Sequence, residues 1–202
     1  LGVSEMTLRR DLDFLVERGD LNRTHGGAVA LEQPTRDALA AAASEPSLEL
    51  RESVGHEAKL MIAAHALNLL GNARTVAVDI GSTTLALAER MTDLPLRVFT
   101  SSLRIASTLK QSRVEVYVPS GHIYGSEPSI TGSSAVDFLR NQSFDVAFLG
   151  ASGVTEAGLY DYSFQDSEIK RALIERSALK VLLIDDSKFN RTSATLIARL
   201  QA

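Results

Sequence analysis

The stretch TVAVDIGSTTLALAERM, residues 75–91, decides the fold that we expect for most of this chain. Its first six residues, 75–80, are mostly small or β-branched and apolar, which predicts a strand buried on both faces. Gly81 interrupts the run, and residues 82–91 then have the composition and length of a helix. A buried strand followed at once by a helix is the repeating unit of an α/β protein with parallel strands.

The same alternation continues on both sides of this stretch. Further strands are predicted over residues 96–101, 114–119, 145–149 and 180–184, with a last one over 195–200. Helices are predicted over residues 56–70, 102–110, 133–141 and 166–178. We therefore expect an α/β fold with a mostly parallel sheet, right-handed crossovers and helices on both faces.

The loop over residues 79–84 is the first candidate for ligand binding, because ligands of such sheets bind outside the carboxyl ends of the strands. Gly81 lets a ligand come close to the backbone. Ser82 and Thr83 begin a helix, where free amides and the helix dipole favour an anion. The loop therefore predicts a phosphate site, although it lacks the lysine of a P-loop. The alternative is that Ser82 only caps the helix.

Other polar segments lie at the ends of predicted strands, at residues 100–102, 120–122, 150–153 and 185–188. Lys188 could supply the positive charge that the first loop lacks, but it also suits an ordinary surface lysine. Asp166 and Lys170 lie four residues apart at the start of a predicted helix. That spacing equally fits a surface ion pair.

Residues 3–29 have a different character. Ser4 is a good helix cap, an apolar stripe with helical spacing follows it, and Gly19 suits a helix end. Such a helix, with Arg10 on its free side, fits the major groove of DNA. Residues 21–29 then predict a two-stranded wing. The alternative is an ordinary surface helix and hairpin, because residues 1–27 hold four arginines against five acidic residues.

Composition limits the classes of protein that remain. The 202 residues are 45% hydrophobic and 23% charged, with a net charge of −4, as in an ordinary globular protein. The absence of cysteine excludes disulfides and thiolate chemistry and fits a reducing cytoplasm. No stretch suggests a membrane span, a metal site or a cofactor. We expect a DNA-binding segment at 1–29, a partly helical linker at 30–54 and a second domain at 55–202.

The motifs SEMTLRRDL at residues 4–12 and RTHGGA at 23–28 closely resemble the recognition helix and wing of the DeoR family of bacterial transcriptional regulators. The family's winged helix-turn-helix begins earlier, so we expect only its C-terminal part here. The resemblance implies a double-stranded DNA operator as partner, a homo-oligomer and a cytoplasmic location. The residues expected to contact DNA are Ser4, Thr7, Arg9, Arg10, Arg23 and His25.

From about Arg51 onward the chain resembles the sensor domain of the same family, which implies a fold like that of ribose-phosphate isomerases and a phosphorylated sugar or related metabolite as effector. Together with the strand ends, this gives an expected effector site of Asp79, Gly81, Ser82, Thr83, Thr84, Ser101, Gly121, Asp145, Asp166, Lys170 and Lys188.

The predicted function is a transcriptional regulator, a repressor of a sugar operon, rather than an enzyme. A sugar-phosphate isomerase is the alternative. It is disfavoured because residues 150–153 hold no acid where related isomerases carry one, and the next acid is Glu156. We expect no catalytic residue.

Overall fold

The computed structural model describes Met6 and residues 21–24, 27–30, 48–125 and 127–200. The chain divides into two compact units, residues 1–42 and 43–202, which are considered separately.

In the first unit, an antiparallel hairpin joins β1 (Leu21–Thr24) to β2 (Gly27–Ala30), with Leu21 opposite Ala30. The two-stranded wing predicted for this region is therefore confirmed. Of the residues expected to contact DNA, Arg23 lies in β1, opposite Ala28. The others, Ser4, Thr7, Arg9, Arg10 and His25, lie outside the described residues.

The second unit is built on a five-stranded parallel sheet with the strand order β11-β8-β3-β4-β5. Its strands are β3 (Thr75–Val78), β4 (Arg97–Phe99), β5 (Glu115–Tyr117), β8 (Phe144–Leu149) and β11 (Ser177–Leu182). The helices are α1 (Leu48–Ser53), α2 (His56–Asn68), α3 (Ser82–Ala88), α4 (Leu103–Leu109), α5 (Ser133–Arg140) and α6 (Phe164–Arg176).

Helices cover both faces of this sheet. Val76 and Val78 of β3 belong to a core formed with α2, α3 and α4. Ala77, between them, belongs to a second core formed with α5 and α6. Neighbouring residues of a strand point to opposite faces, so a continuous apolar run fills both cores. The predicted α/β fold, with a mostly parallel sheet and helices on both faces, is confirmed.

Two smaller sheets were not predicted. A hairpin joins β6 (His122–Tyr124) to β7 (Ser129–Thr131), and an antiparallel sheet has the order β12-β10-β9. Its strands are β9 (Gly153–Thr155), β10 (Gly158–Asp161) and β12 (Thr195–Ala198). The strand predicted at 195–200 therefore exists, but it pairs with β10 instead of extending the main sheet.

The boundary between the last helix and the strand after it also differs from the prediction. Helix α6 ends at Arg176 and β11 begins at the next residue, Ser177, whose extended backbone stops the helix. The Ser177 hydroxyl donates to the carbonyl of Leu173 at 2.6 Å, which satisfies a carbonyl of the last helical turn. Helix α1 lies within the stretch that was expected to be a partly helical linker.

Candidate ligand site

A cavity of about 310 Å³ opens at the carboxyl ends of β3 and β8. Its wall is formed by the loops that follow these strands, the start of α6, the segment after β11, and α1. Seven of the residues expected in the effector site line it: Gly81, Ser82, Thr83, Thr84, Asp166, Lys170 and Lys188.

The loop between β3 and α3 forms one side of the cavity. Gly81 has φ 143°, which a residue with a side chain rarely adopts, and α3 begins at Ser82. The buried Thr84 hydroxyl donates to the Gly81 carbonyl at 2.9 Å and so braces this turn. Ser82 and Thr83 lie at the start of the helix and line the cavity, and residues of this type at this position can donate hydrogen bonds to an anion.

A buried charge cluster forms the floor. The Lys170 ammonium is ion-paired with Asp79 and lies 3.1 Å from Asp161 Oδ2. Asp79 is fully buried and also accepts a hydrogen bond of 2.9 Å from the Gly150 amide. Asp161 accepts one of 2.9 Å from the Ser152 hydroxyl. The cluster joins β3, β10 and α6, and it fixes the position of each charged group under the cavity.

The charges of this cluster depend on one another. Burial lowers the pKa of Lys170, but the carboxylates of Asp161 and Asp79 outweigh burial and raise that pKa above its usual value. Burial raises the pKa of Asp79 to about 6, although Lys170 and the Gly150 amide act in the opposite direction. Lys170 is therefore charged, and Asp79 is ionised at neutral pH.

Six charged residues that were not predicted as site residues also line the cavity: Arg51, Lys59, Glu127, Asp161, Asp185 and Arg191. Lys59 is buried, and its ammonium donates to the carbonyls of Arg51 and Val54, the second at 2.6 Å. Burial lowers the pKa of Lys59. Asp161 was missed because β10, which carries it, was itself not predicted.

Four residues expected in the site do not line the cavity. Asp79 lies just beneath it, in the floor cluster. Ser101 is buried, and its carbonyl accepts from the Ile130 amide of β7. Gly121 stands where a Cβ would come within 2.4 Å of the Thr131 carbonyl, so it permits the close approach of β6 and β7.

Asp145 is the clearest correction. It lies near the start of β8 and accepts hydrogen bonds from the amides of Arg74 and Thr75, at 2.8 and 2.9 Å. The amino and carboxyl ends of parallel strands lie at opposite edges of a sheet, so Asp145 is on the side away from the cavity. These two amides hold the pKa of Asp145 below its usual value.

Comparison with known proteins shows which family the chain belongs to. The sequence model of the DeoR C-terminal sensor domain matches residues 55–202, and that of the DeoR-like helix-turn-helix domain matches residues 1–34. The chain belongs to the DeoR family. Both halves of the resemblance seen in the sequence are thereby confirmed.

Relatives of this DeoR-family protein are named as regulators. The HTH-type transcriptional regulator GlpR of Haloferax volcanii is 32% identical over 100% of this chain and 76% of its own length. The glycerol-3-phosphate regulon repressor of Escherichia coli K12 is 31% identical over 95% and 73%. The L-fucose operon activator of the same strain is 30% identical over 99% and 81%. The DeoR-family chain is a DNA-binding transcriptional regulator with a small-molecule sensor domain, not an enzyme.

Among solved structures, ribose 5-phosphate isomerase A from Methanocaldococcus jannaschii is similar to the DeoR-family chain with a TM-score of 0.49 and 17% identity. The match covers 66% of this chain and 54% of the isomerase, and the similarity is too weak to bear on function. In the part of the chain that the structure describes, no helix is long and apolar enough to span a membrane. The same part contains no cluster of acidic or histidine side chains suited to a metal ion.

The position of Asp145 in this DeoR-family sensor domain leads to a prediction. Asp145→Ala should leave the binding of a phosphorylated ligand unchanged and lower the free energy of unfolding by about 1 kcal/mol, since two hydrogen bonds to an exposed carboxylate are lost. Urea unfolding would measure the loss. Because the folded-state pKa is lowered, the difference from wild type should be complete at neutral pH and disappear as the pH falls through that pKa. Weaker ligand binding in this variant would contradict the placement of Asp145.

Proposed function

We propose that the cavity binds a phosphorylated sugar or a related phosphorylated metabolite, and that its occupancy controls the affinity of the protein for a DNA operator. The observation that carries the proposal is that one cavity is lined by two kinds of polar residue. Ser82, Thr83 and Lys188 can bind an anion, and Asp161 and Asp166 can accept hydrogen bonds from hydroxyls. A sugar phosphate has the matching halves, an anion and a set of hydroxyls.

The phosphate would lie against the start of α3. Ser82 and Thr83 offer hydroxyl and amide donors there, and the half-buried Lys188 offers a positive charge from the 3₁₀ helix Asp186–Lys188. Hydrogen bonds between charged groups are about twice as strong as neutral ones. Lys188 would therefore supply the positive charge that a lysine of the loop supplies in a P-loop.

The sugar hydroxyls would lie over the floor. Asp161 Oδ1 accepts from the Ser152 hydroxyl, and Asp166 Oδ1 accepts from the Ser129 hydroxyl at 2.7 Å. An ionised carboxylate has about four acceptor positions, so each can accept from a ligand hydroxyl as well. These existing bonds hold both carboxylates in place before a ligand arrives, which lowers the entropy cost of binding.

The regulatory part of the proposal rests on the family. Relatives are named for a glycerol-3-phosphate regulon and for an L-fucose operon, as a repressor and an activator respectively. We propose a repressor that acts in the cytoplasm as a homo-oligomer, because an operator with two half-sites needs two DNA-binding segments. The residues proposed to contact the operator remain Ser4, Thr7, Arg9, Arg10, Arg23 and His25.

Lys188→Ala provides a direct test. We expect phosphorylated sugars to bind this variant about ten- to a hundred-fold more weakly than wild type, because a charge-assisted hydrogen bond contributes roughly 1.5–3 kcal/mol. Shifts in the unfolding temperature with a panel of sugar phosphates and their unphosphorylated parents would measure the change, since a ligand stabilises according to its concentration relative to Kd.

Lys110→Ala is the matched control. Lys110 is an exposed lysine at the end of α4, outside the cavity, and its removal should leave every shift unchanged. Equal stabilisation by a sugar and by its phosphate, or a normal response in the Lys188 variant, would count against a phosphate site in this cavity.

A further inference from the structure

An ion pair at the wall of the cavity joins two elements that are distant in the sequence. The Arg51 guanidinium, on α1, pairs with the Glu127 carboxylate in the turn just before β7. The side chains are 15% and 3% exposed, and both line the cavity. A ligand that enters the cavity therefore meets this pair.

Polar contacts hold α1 in place. Lys59 donates to the carbonyl oxygens of Arg51 and Val54, and Glu52 pairs with Arg104 of α4 at 2.8 Å. Among the described side chains of residues 50–54, none is buried, so apolar packing contributes little there. A six-residue helix is too short to be stable alone in water. The Arg51–Glu127 and Glu52–Arg104 ion pairs therefore contribute to the position of α1, and a change in either pair is expected to alter the local stability of this short helix.

Glu127 depends on the same contact. Burial raises the pKa of its carboxyl group, while Arg51, Lys170 and the amide of Gly81 act to lower it. The Gly81 amide belongs to the loop proposed to hold the ligand's phosphate. An anion bound at this loop would therefore lie close to the Glu127 carboxylate, and the two negative charges would repel each other.

We propose that the Arg51–Glu127 pair is a latch that an anionic ligand opens by taking Arg51 as its own partner, which removes one of the contacts that hold α1 and loosens the helix. The inference rests on the proposed function, because it needs an anion in the cavity. A phosphate carries more charge than a carboxylate and matches the fork of a guanidinium, so it competes well for Arg51. Helix α1 is the first described element of the sensor unit along the chain after the DNA-binding segment. Loosening of α1 therefore couples ligand binding in the cavity to a local change in the part of the sensor unit that follows the DNA-binding segment in the sequence.

Glu127→Gln tests the latch, with inorganic phosphate as the probe. The variant keeps the shape of the side chain and removes the competing charge, so phosphate should bind about ten-fold more tightly than to wild type. Hydrogen–deuterium exchange of the amides of residues 50–54 supplies a second measurement. Phosphate should speed this exchange in wild type, and in the variant exchange should already be fast without phosphate.

Glu52→Gln is the control, because it breaks the other ion pair of α1 at a residue that does not line the cavity. It should speed exchange in α1 and leave phosphate affinity unchanged. If wild type binds phosphate and Glu127→Gln binds it equally or more weakly, the latch is wrong and the proposed ligand class stands. If wild type binds neither phosphate nor any sugar phosphate, the proposed function and the latch fail together.

Discussion

Lys170→Met should lower the free energy of unfolding of the sensor domain by about 3–5 kcal/mol, the usual cost of removing one partner from a buried ion pair. Asp79 and Asp161 would keep their burial and lose the ammonium that compensates them. In a unit of this size the change corresponds to a fall of roughly 10 °C in Tm. Thermal and urea unfolding at pH 7.5 would measure it.

The pH dependence of the loss identifies its cause. Burial already raises the pKa of Asp79 to about 6 with Lys170 present, and the loss of Lys170 raises it further. The deficit relative to wild type should therefore grow as the pH rises above about 6, where ionisation of Asp79 becomes costly in the variant. Adding Asp79→Asn to the Lys170 variant should recover part of the stability, since the added change removes a buried charge.

Lys180→Met serves as the matched control for this experiment. Lys180 is exposed in β11, and its replacement should change stability by no more than about 0.5 kcal/mol. A Lys170 variant as stable as the Lys180 variant would show that the floor cluster does not hold the fold together.

Ser82→Asp should reduce the affinity for inorganic phosphate and for sugar phosphates by about a hundred-fold or more. The new carboxylate would stand where the phosphate is proposed to bind, and two unit charges of the same sign 4 Å apart repel by about 4 kcal/mol at an effective dielectric constant of 20. The fold should be retained, because an acidic residue at the start of a helix is favourable. Titration calorimetry would measure the affinity, and circular dichroism would confirm the fold.

Ser133→Asp provides a closely matched comparison. Ser133 begins α5 as Ser82 begins α3, and each follows a glycine that caps its helix. Ser133 is exposed and does not line the cavity, so phosphate affinity should be unaffected there. If both variants lose affinity alike, the effect is one of overall charge; if Ser82→Asp binds phosphate normally, the phosphate lies elsewhere.

The main sheet could be predicted because its strands are buried on both faces and therefore stand out as apolar runs between helices. Thr75–Val78 is such a strand, with three of its four residues buried. The small sheets could not be predicted in the same way. Gly153–Thr155 and Gly158–Asp161 are too short and too rich in glycine to show a period, and β10 also pairs with Thr195–Ala198, distant in the sequence.

The residues of the candidate site also differ in how well the sequence predicts them. Ser82, Thr83 and Lys188 line the cavity, and their proximity to the predicted strand ends could be anticipated because each follows a strand that the sequence predicts well. Asp145 was misplaced because the resemblance gave it a role, although its position at the start of a strand argued for the opposite edge. Arg51 and Glu127 reach the cavity only through tertiary placement of α1 and of the β6–β7 hairpin, which no local pattern in the sequence indicates.

Because α6 continues directly into β11, the distance from Lys170 to the start of β11 is fixed. Ser177 comes seven positions after Lys170, about two helical turns or roughly 10 Å, and no loop lies between α6 and β11 to absorb a change of length. Insertion of a single residue in that interval would rotate the ammonium away from its carboxylates or slide β11 along β8. The direct connection between α6 and β11 therefore fixes the distance along the chain between the buried cluster and the start of β11.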